Sequence, residues 1–135
     1  MIRTLALAGL SLLVLAACSA EGGKPAADDP AAGLSAEIGA WHKELEASHP
    51  ACAAKVEGKG CQDFQVMCKA HQEIDAAETA RGVTAQVVAA MTFAGRNPDG
   101  STGKSGSAFA VFSKADNTWT REESKPVNMS SCAPL

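Results

Sequence analysis

Cys52, Cys61, Cys68 and Cys132 are the side chains of this chain with the most chemistry open to them: oxidation to disulfides, or capture of a metal ion. Structural zinc sites draw on closely paired cysteines such as Cys-x-x-Cys. None of these four is so paired. Cys68 and His71 stand three apart and His49 lies upstream, but the set matches no standard site, so no metal and no cofactor is expected. Two disulfides are expected instead. Four cysteines allow three pairings. Loop-closure entropy favours the nearest partners, Cys52–Cys61, which leaves Cys68–Cys132 to hold the C-terminal segment. A second pairing, Cys52–Cys68 with Cys61–Cys132, stays open, because Cys61 and Cys68 are about two turns apart on a predicted helix.

Other constellations fall short of an active site. Gly103-Lys104-Ser105 ends like a phosphate-binding loop, but Pro98 holds the place of that motif's first glycine. A strand, not a helix, is expected to follow it. Asn97, Asp99 and Ser101 alternate like the oxygen ligands of a calcium loop, with the glycine out of place and no closing glutamate. His42, Glu46 and His49 share one helical face, and Glu46-Ala47-Ser48-His49 has the spacing used in di-iron bundles. Those sites need matching ligands from four helices, so the face reads as a solvated polar stripe. His71 reads as a partly buried structural histidine. No serine sits in a Gly-x-Ser-x-Gly elbow, and the adjacent carboxylates Asp28-Asp29 and Glu122-Glu123 point apart. No catalytic residue is expected, and the chain does not read as an enzyme.

The elements that would position these residues come in two grammars. Leu34, Ile38, Trp41 and Leu45 recur at helical spacing and predict a helix over 35–48, with Ser35 as N-cap and His49-Pro50 as its end. After a turn-rich link, Phe64, Met67, Cys68, His71 and Ile74 predict a second helix that begins near Gln62 or Asp63 and closes at Arg81-Gly82. From Val83 the pattern alternates: Val83, Ala85, Val87, Ala89, Met91 and Phe93 fall on one face of a strand. Ser107–Ser113 and Thr118–Arg121 read as two more strands, Trp119 facing inward, with a turn at Ala115-Asp116-Asn117. Pro126 breaks the third, and Val127-Asn128-Met129 predicts a short edge strand. Residues 95–106, with glycines at four positions, read as a long hairpin loop. Helices first and strands after is the α+β pattern. The expected fold is a two-helix hairpin on one face of a three- to four-stranded antiparallel meander, stapled by two disulfides.

The N-terminus follows other rules. Arg3 precedes an apolar run, Leu5 to Ala17, too short to cross a bilayer as a helix and of the length of a secretory signal. Its end, Leu15-Ala16-Ala17-Cys18, resembles the lipobox of bacterial lipoproteins: Leu at −3, small residues at −2 and −1, then Cys. The resemblance covers residues 1–18. It implies removal of residues 1–17, acylation of Cys18 and anchorage in the lipid bilayer. Ser19 after the cysteine, in place of Asp, implies the outer membrane, facing the periplasm. Residues 18–33 carry Gly22, Gly23, Pro25, Pro30 and Gly33 among alanines and cannot bury apolar surface; they read as a tether reaching about 20–25 Å. Residues 34–135 are then a single domain.

Composition narrows the partners. The whole chain has a formal net charge of −3 and no tyrosine, and no cluster of Lys or Arg follows one face, so nucleic acid is not an expected partner. Four Phe and two Trp must supply most of a core for the domain, which leaves little for the walls of a large pocket. The first functional expectation is a non-catalytic module that binds an envelope protein or a cell-wall component. The alternative is a small-ligand carrier with a pocket between helices and sheet.

Overall fold

The alternating run from Val83 is a strand, and the rest of the domain is arranged around it. The computed structural model describes residues 29–135; Cys18 and the predicted leader lie outside the described residues. In chain order the elements are α1 (Leu34–Ser48), a 3₁₀ turn (Pro50–Cys52), β1 (Cys61–His71), α2 (Ala76–Ala80), β2 (Val83–Arg96), β3 (Thr102–Ala115) and β4 (Thr118–Glu123). The four strands form one antiparallel meander in the order β1-β2-β3-β4. The fold is α+β, with two helices and two disulfides.

β2 is buried on both faces. Val87, Ala89, Met91 and Phe93 join Ala110 and Phe112 of β3 in a cluster with Leu34 and Trp41 of α1. Ile38 and Leu45 of α1 pack on the same cluster, so the predicted helical stripe is the stripe that meets the sheet. Trp41 meets the Phe112 ring edge-on at 5.7 Å. On the opposite, outer face, Val88 and Ala90 pack with Cys68, Phe109 and Val111, under Val127, Met129 and Cys132. The C-terminal segment is therefore a cover and not the edge strand expected at Val127–Met129. It folds back through a single bridge, Val127 to Pro134, and its Cys132 N–H donates to Asn128 O at 2.7 Å.

The predicted second helix is the main correction. Residues Cys61–His71 form β1, and helix survives only as the single turn of α2. The cause lies in two irregularities of register against β2, between Gln62 and Gln65 and between Val66 and Cys68. Each inserts a residue, so neighbours on one face fall three apart instead of two. Cys61 and Phe64 thus both join the α1-side cluster, while Gln65 and Cys68 both pair on the outer face. The residues that read as one helical stripe are split by the strand: Phe64 packs on the α1 side, Cys68 on the outer side, and Met67 is exposed. A central strand such as β2 also needs a hydrogen-bonding neighbour on each side, which a helix cannot supply.

Three smaller corrections follow. Gly33, not Ser35, is the N-cap of α1, in the left-handed region at φ 86°. Residues 95–106 are not a long loop: the ladder runs to Arg96↔Thr102, and only Asn97–Ser101 turn. His71 is exposed. The disulfides join Cys52 to Cys61 and Cys68 to Cys132. The first pins the 3₁₀ turn to β1, and the second pins the C-terminal cover to the same strand.

Upstream, the turn before α1 is fastened to the sheet. Trp119 Nε1 donates to Ala32 O at 2.8 Å, and Lys114 Nζ reaches the same oxygen at 3.4 Å. Lys114 is buried with its ammonium 5.7 Å from the centroid of the Trp119 ring. A carbonyl and an aromatic face thus satisfy a cation that has no carboxylate beside it among the described residues.

Candidate functional site

The outer face of the sheet is only half covered. Val88 and Ala90 lie under the C-terminal segment, but the other half presents Gln65 of β1, Thr92 and Ala94 of β2, and Ser105 and Ser107 of β3. Alternation places them together: Gln65 pairs with Thr92, Thr92 with Ser107, and Ala94 with Ser105. With Asp63 they line an open groove of about 450 Å³. The side chains of Asp63, Gln65, Thr92, Ser105 and Ser107 make no hydrogen bond to any described residue, whereas Gln62 and Asn97 nearby are engaged with Thr102 and Ser101. This is a patch of free hydroxyl and amide groups with a single carboxylate.

A second depression lies across β3 from the first. Trp41, Leu45 and His49 of α1 and its C-terminal end face Ala108, Glu123 and Pro126 around a cleft of about 270 Å³. His49 Nδ1 accepts from the Ala51 N–H at 3.1 Å, which leaves Nε2 as the proton-bearing nitrogen of the neutral ring. The predicted polar stripe of His42, Glu46 and His49 is corrected here. Both imidazoles are half-buried and pack on the sheet, His42 against Phe64 at 3.8 Å and His49 edge-on to Phe93 at 4.8 Å. The two phenylalanines are themselves stacked at 5.1 Å. The histidines serve as aromatic packing between helix and sheet.

The calcium-like triplet holds its own turn. Asp99 Oδ1 accepts from Ser101 N–H at 2.9 Å and from its hydroxyl at 2.6 Å, and Asn97 Nδ2 donates to the same hydroxyl. These bonds hold the Asp99 carboxyl below the ordinary aspartate range. Gly103-Lys104-Ser105 is part of β3 and opens no helix. Among the described residues no three metal-ligating side chains stand together, and no helix is long and apolar enough to cross a membrane.

Sequence reasoning missed the outer-face patch because it placed Gln65 on a helix. The signal was present in part: Thr92 and Ser107 are the polar members of two alternating runs. No protein-family model matches this chain, and no curated protein or solved structure is significantly similar to it.

Proposed function

We propose that this protein is an envelope lipoprotein, anchored by acyl chains on Cys18 in the outer membrane. Its domain acts as a non-catalytic module that binds an envelope protein or a cell-wall component. The anchor reading rests on Leu15-Ala16-Ala17-Cys18 and the apolar run before it. Two disulfides accord with an oxidising compartment. The observation that carries the binding role is the bare half of the outer sheet face. There Gln65, Thr92, Ser105 and Ser107 hold unused hydrogen-bonding groups side by side, while an added segment covers the apolar half. A carrier would place its ligand in the cleft beside α1, but about 270 Å³ lies under the usual range for small-molecule pockets.

A photo-crosslinking residue at Thr92 or Ser105, in intact cells, tests this reading. Discrete adducts are expected from both positions and none from Ala77, an exposed residue of α2. Equal labelling from all three, or none from Thr92 and Ser105, refutes it.

A further inference from the structure

β4 stops too early for its neighbour. It pairs with Ala110–Ala115 only, although β3 begins at Thr102. The last bond across this edge runs from Ser124 N–H to Phe109 O at 3.0 Å. The register Ala110↔Glu123, continued, would bring residue 126 opposite Ser107. In an antiparallel ladder the outward-pointing residues of β3 alternate, so Phe109 is followed by Ser107, Ser105 and Gly103. Residue 126 would have to donate an N–H to the Ser107 carbonyl, and Pro126 has none. The chain leaves the sheet at that proline. Along Gly103–Ser107 the β3 backbone therefore presents N–H and C=O groups with no partner among the described residues.

We infer that this vacated edge is a strand-addition site for an extended peptide of a partner protein, which completes the ladder that Pro126 breaks off. The inference rests on the reading of the domain as an interaction module and names its mode of binding. Backbone groups supply the affinity in such pairing, and pockets for alternate side chains supply the specificity. Both kinds of pocket are present. A strand lying beside Ser105 and Ser107 turns one set of side chains toward the cleft of Trp41, Leu45, His49 and Ala108. The other set turns toward the Thr92–Ser107 groove. The partner segment is thus apolar and polar by turns, about six residues long, which spans roughly 20 Å. Trp41, Leu45 and His49 wall the slot on one side. Glu123 stands where a peptide running in the direction of β4 begins, and Lys104 where it ends. A basic residue at its start and an acidic one at its end complement those charges. The edge is also guarded against indiscriminate pairing, being short, flanked by Lys104 and closed by a proline.

The test is amide hydrogen exchange, read by NMR on the full chain in detergent micelles. The probe is a capped hexapeptide alternating leucine and threonine. In the free protein the Ser105 and Ser107 amides should exchange fast, while Gly106 and Ala108, which face β2, exchange slowly. Peptide should slow Ser105 and Ser107 by about tenfold or more and leave the other two unchanged. Ser107→Pro removes only an outward N–H and should fold, with its tryptophan near-UV signal intact, yet lose protection at Ser105. Should that variant misfold, Pro126→Thr decides: its own chain can extend the ladder, so Ser107 becomes protected without peptide and peptide adds nothing. Exchange at Ser105 and Ser107 that ignores the peptide overturns the inference. So does protection that rises with protein concentration alone, which would point to a second copy. Crosslinks from Thr92 in cells, with no peptide effect here, would keep the interaction module and discard strand addition.

Discussion

Gly106→Ala is the substitution whose outcome the packing specifies most closely. Gly106 lies opposite Phe93 in the β2–β3 ladder. A β-carbon there would stand 2.3 Å from Phe93 Cε2 and 2.9 Å from both Cδ2 and Cζ. The ring cannot withdraw freely: Phe93 is 3% exposed, stacked on Phe64 and met edge-on by His49. Overpacking of this kind costs about 1–3 kcal/mol. Replacing glycine by alanine in an ordinary strand conformation returns about 0.4–1 kcal/mol through the unfolded chain. The net expectation is a loss of about 1.5 kcal/mol, or a fall in Tm of about 6–12 °C for a domain this size. Urea unfolding of the oxidised protein, followed by tryptophan fluorescence, measures it. A double-mutant cycle isolates the cause. With Phe93→Leu the clash is relieved, so Gly106→Ala should be neutral or slightly stabilising in that background. Equal costs in the two backgrounds would refute the steric account, as would a gain in stability in the otherwise native protein.

Replacing both Cys68 and Cys132 by alanine should lower stability by about 4.3 kcal/mol, against about 2.6 kcal/mol for Cys52 and Cys61, from chain entropy alone. The bridges span sequence separations of 64 and 9, and the urea midpoints should rank accordingly. Gly39→Ala, mid-helix with nothing within 4 Å of the new β-carbon, should raise the unfolding free energy by about 0.5–1 kcal/mol, read from the same melts. Asp99 titrates below its unfolded range because Ser101 bonds to its ionised form. Its support for the hairpin turn is therefore present at neutral pH and lost only as pH falls through that lowered value. Ser101 amide exchange should quicken there, and Asp99→Asn should abolish the pH dependence. Cys18→Ser should move the protein out of the membrane fraction or leave it unprocessed, since the proposed anchor rests on acyl chains at that residue.

What could be read from the residues depended on whether a strand was regular. α1 was legible because Leu34, Ile38, Trp41 and Leu45 keep one period and because the same stripe meets the sheet. β2 was legible because its α1-facing residues alternate without a slip from Ala85 to Phe93. β1 was not, because Phe64 and Cys68, four apart like residues of one helical face, lie on opposite faces of a strand that carries two extra residues, and only the ladder to β2 reveals that. The glycines of 95–106 suggested looseness, yet most of them lie in paired strand, where Gly106 makes room for the Phe93 ring. Pro126 was legible as a break. What it opens was not, because that depends on which residue of β3 it faces, and register is a property of the assembled sheet.

The two ends of β3 carry opposite duties, and their separation follows from the strand itself. At the C-terminal end Lys114, with Trp119 of β4 beside it, binds the carbonyl of Ala32, so the chain upstream enters the domain there. At the N-terminal end Ser105 and Ser107 border both the polar groove and, at Ser107, the cleft beside α1. From Lys114 to Ser105 a strand covers about 30 Å. If Cys18 is acylated as proposed, the chain from the lipid joins the domain at the Trp119 end, well separated along β3 from the unpaired edge. Loosening the Ala32 clamp with Trp119→Phe removes the 2.8 Å hydrogen bond and keeps an aromatic, though smaller, ring. Crosslinking yield from Ser105 to an envelope partner should then fall while the peptide-dependent amide protection of isolated protein stays unchanged. An equal loss in both assays would mean that Trp119 supports the fold of the edge and not its presentation.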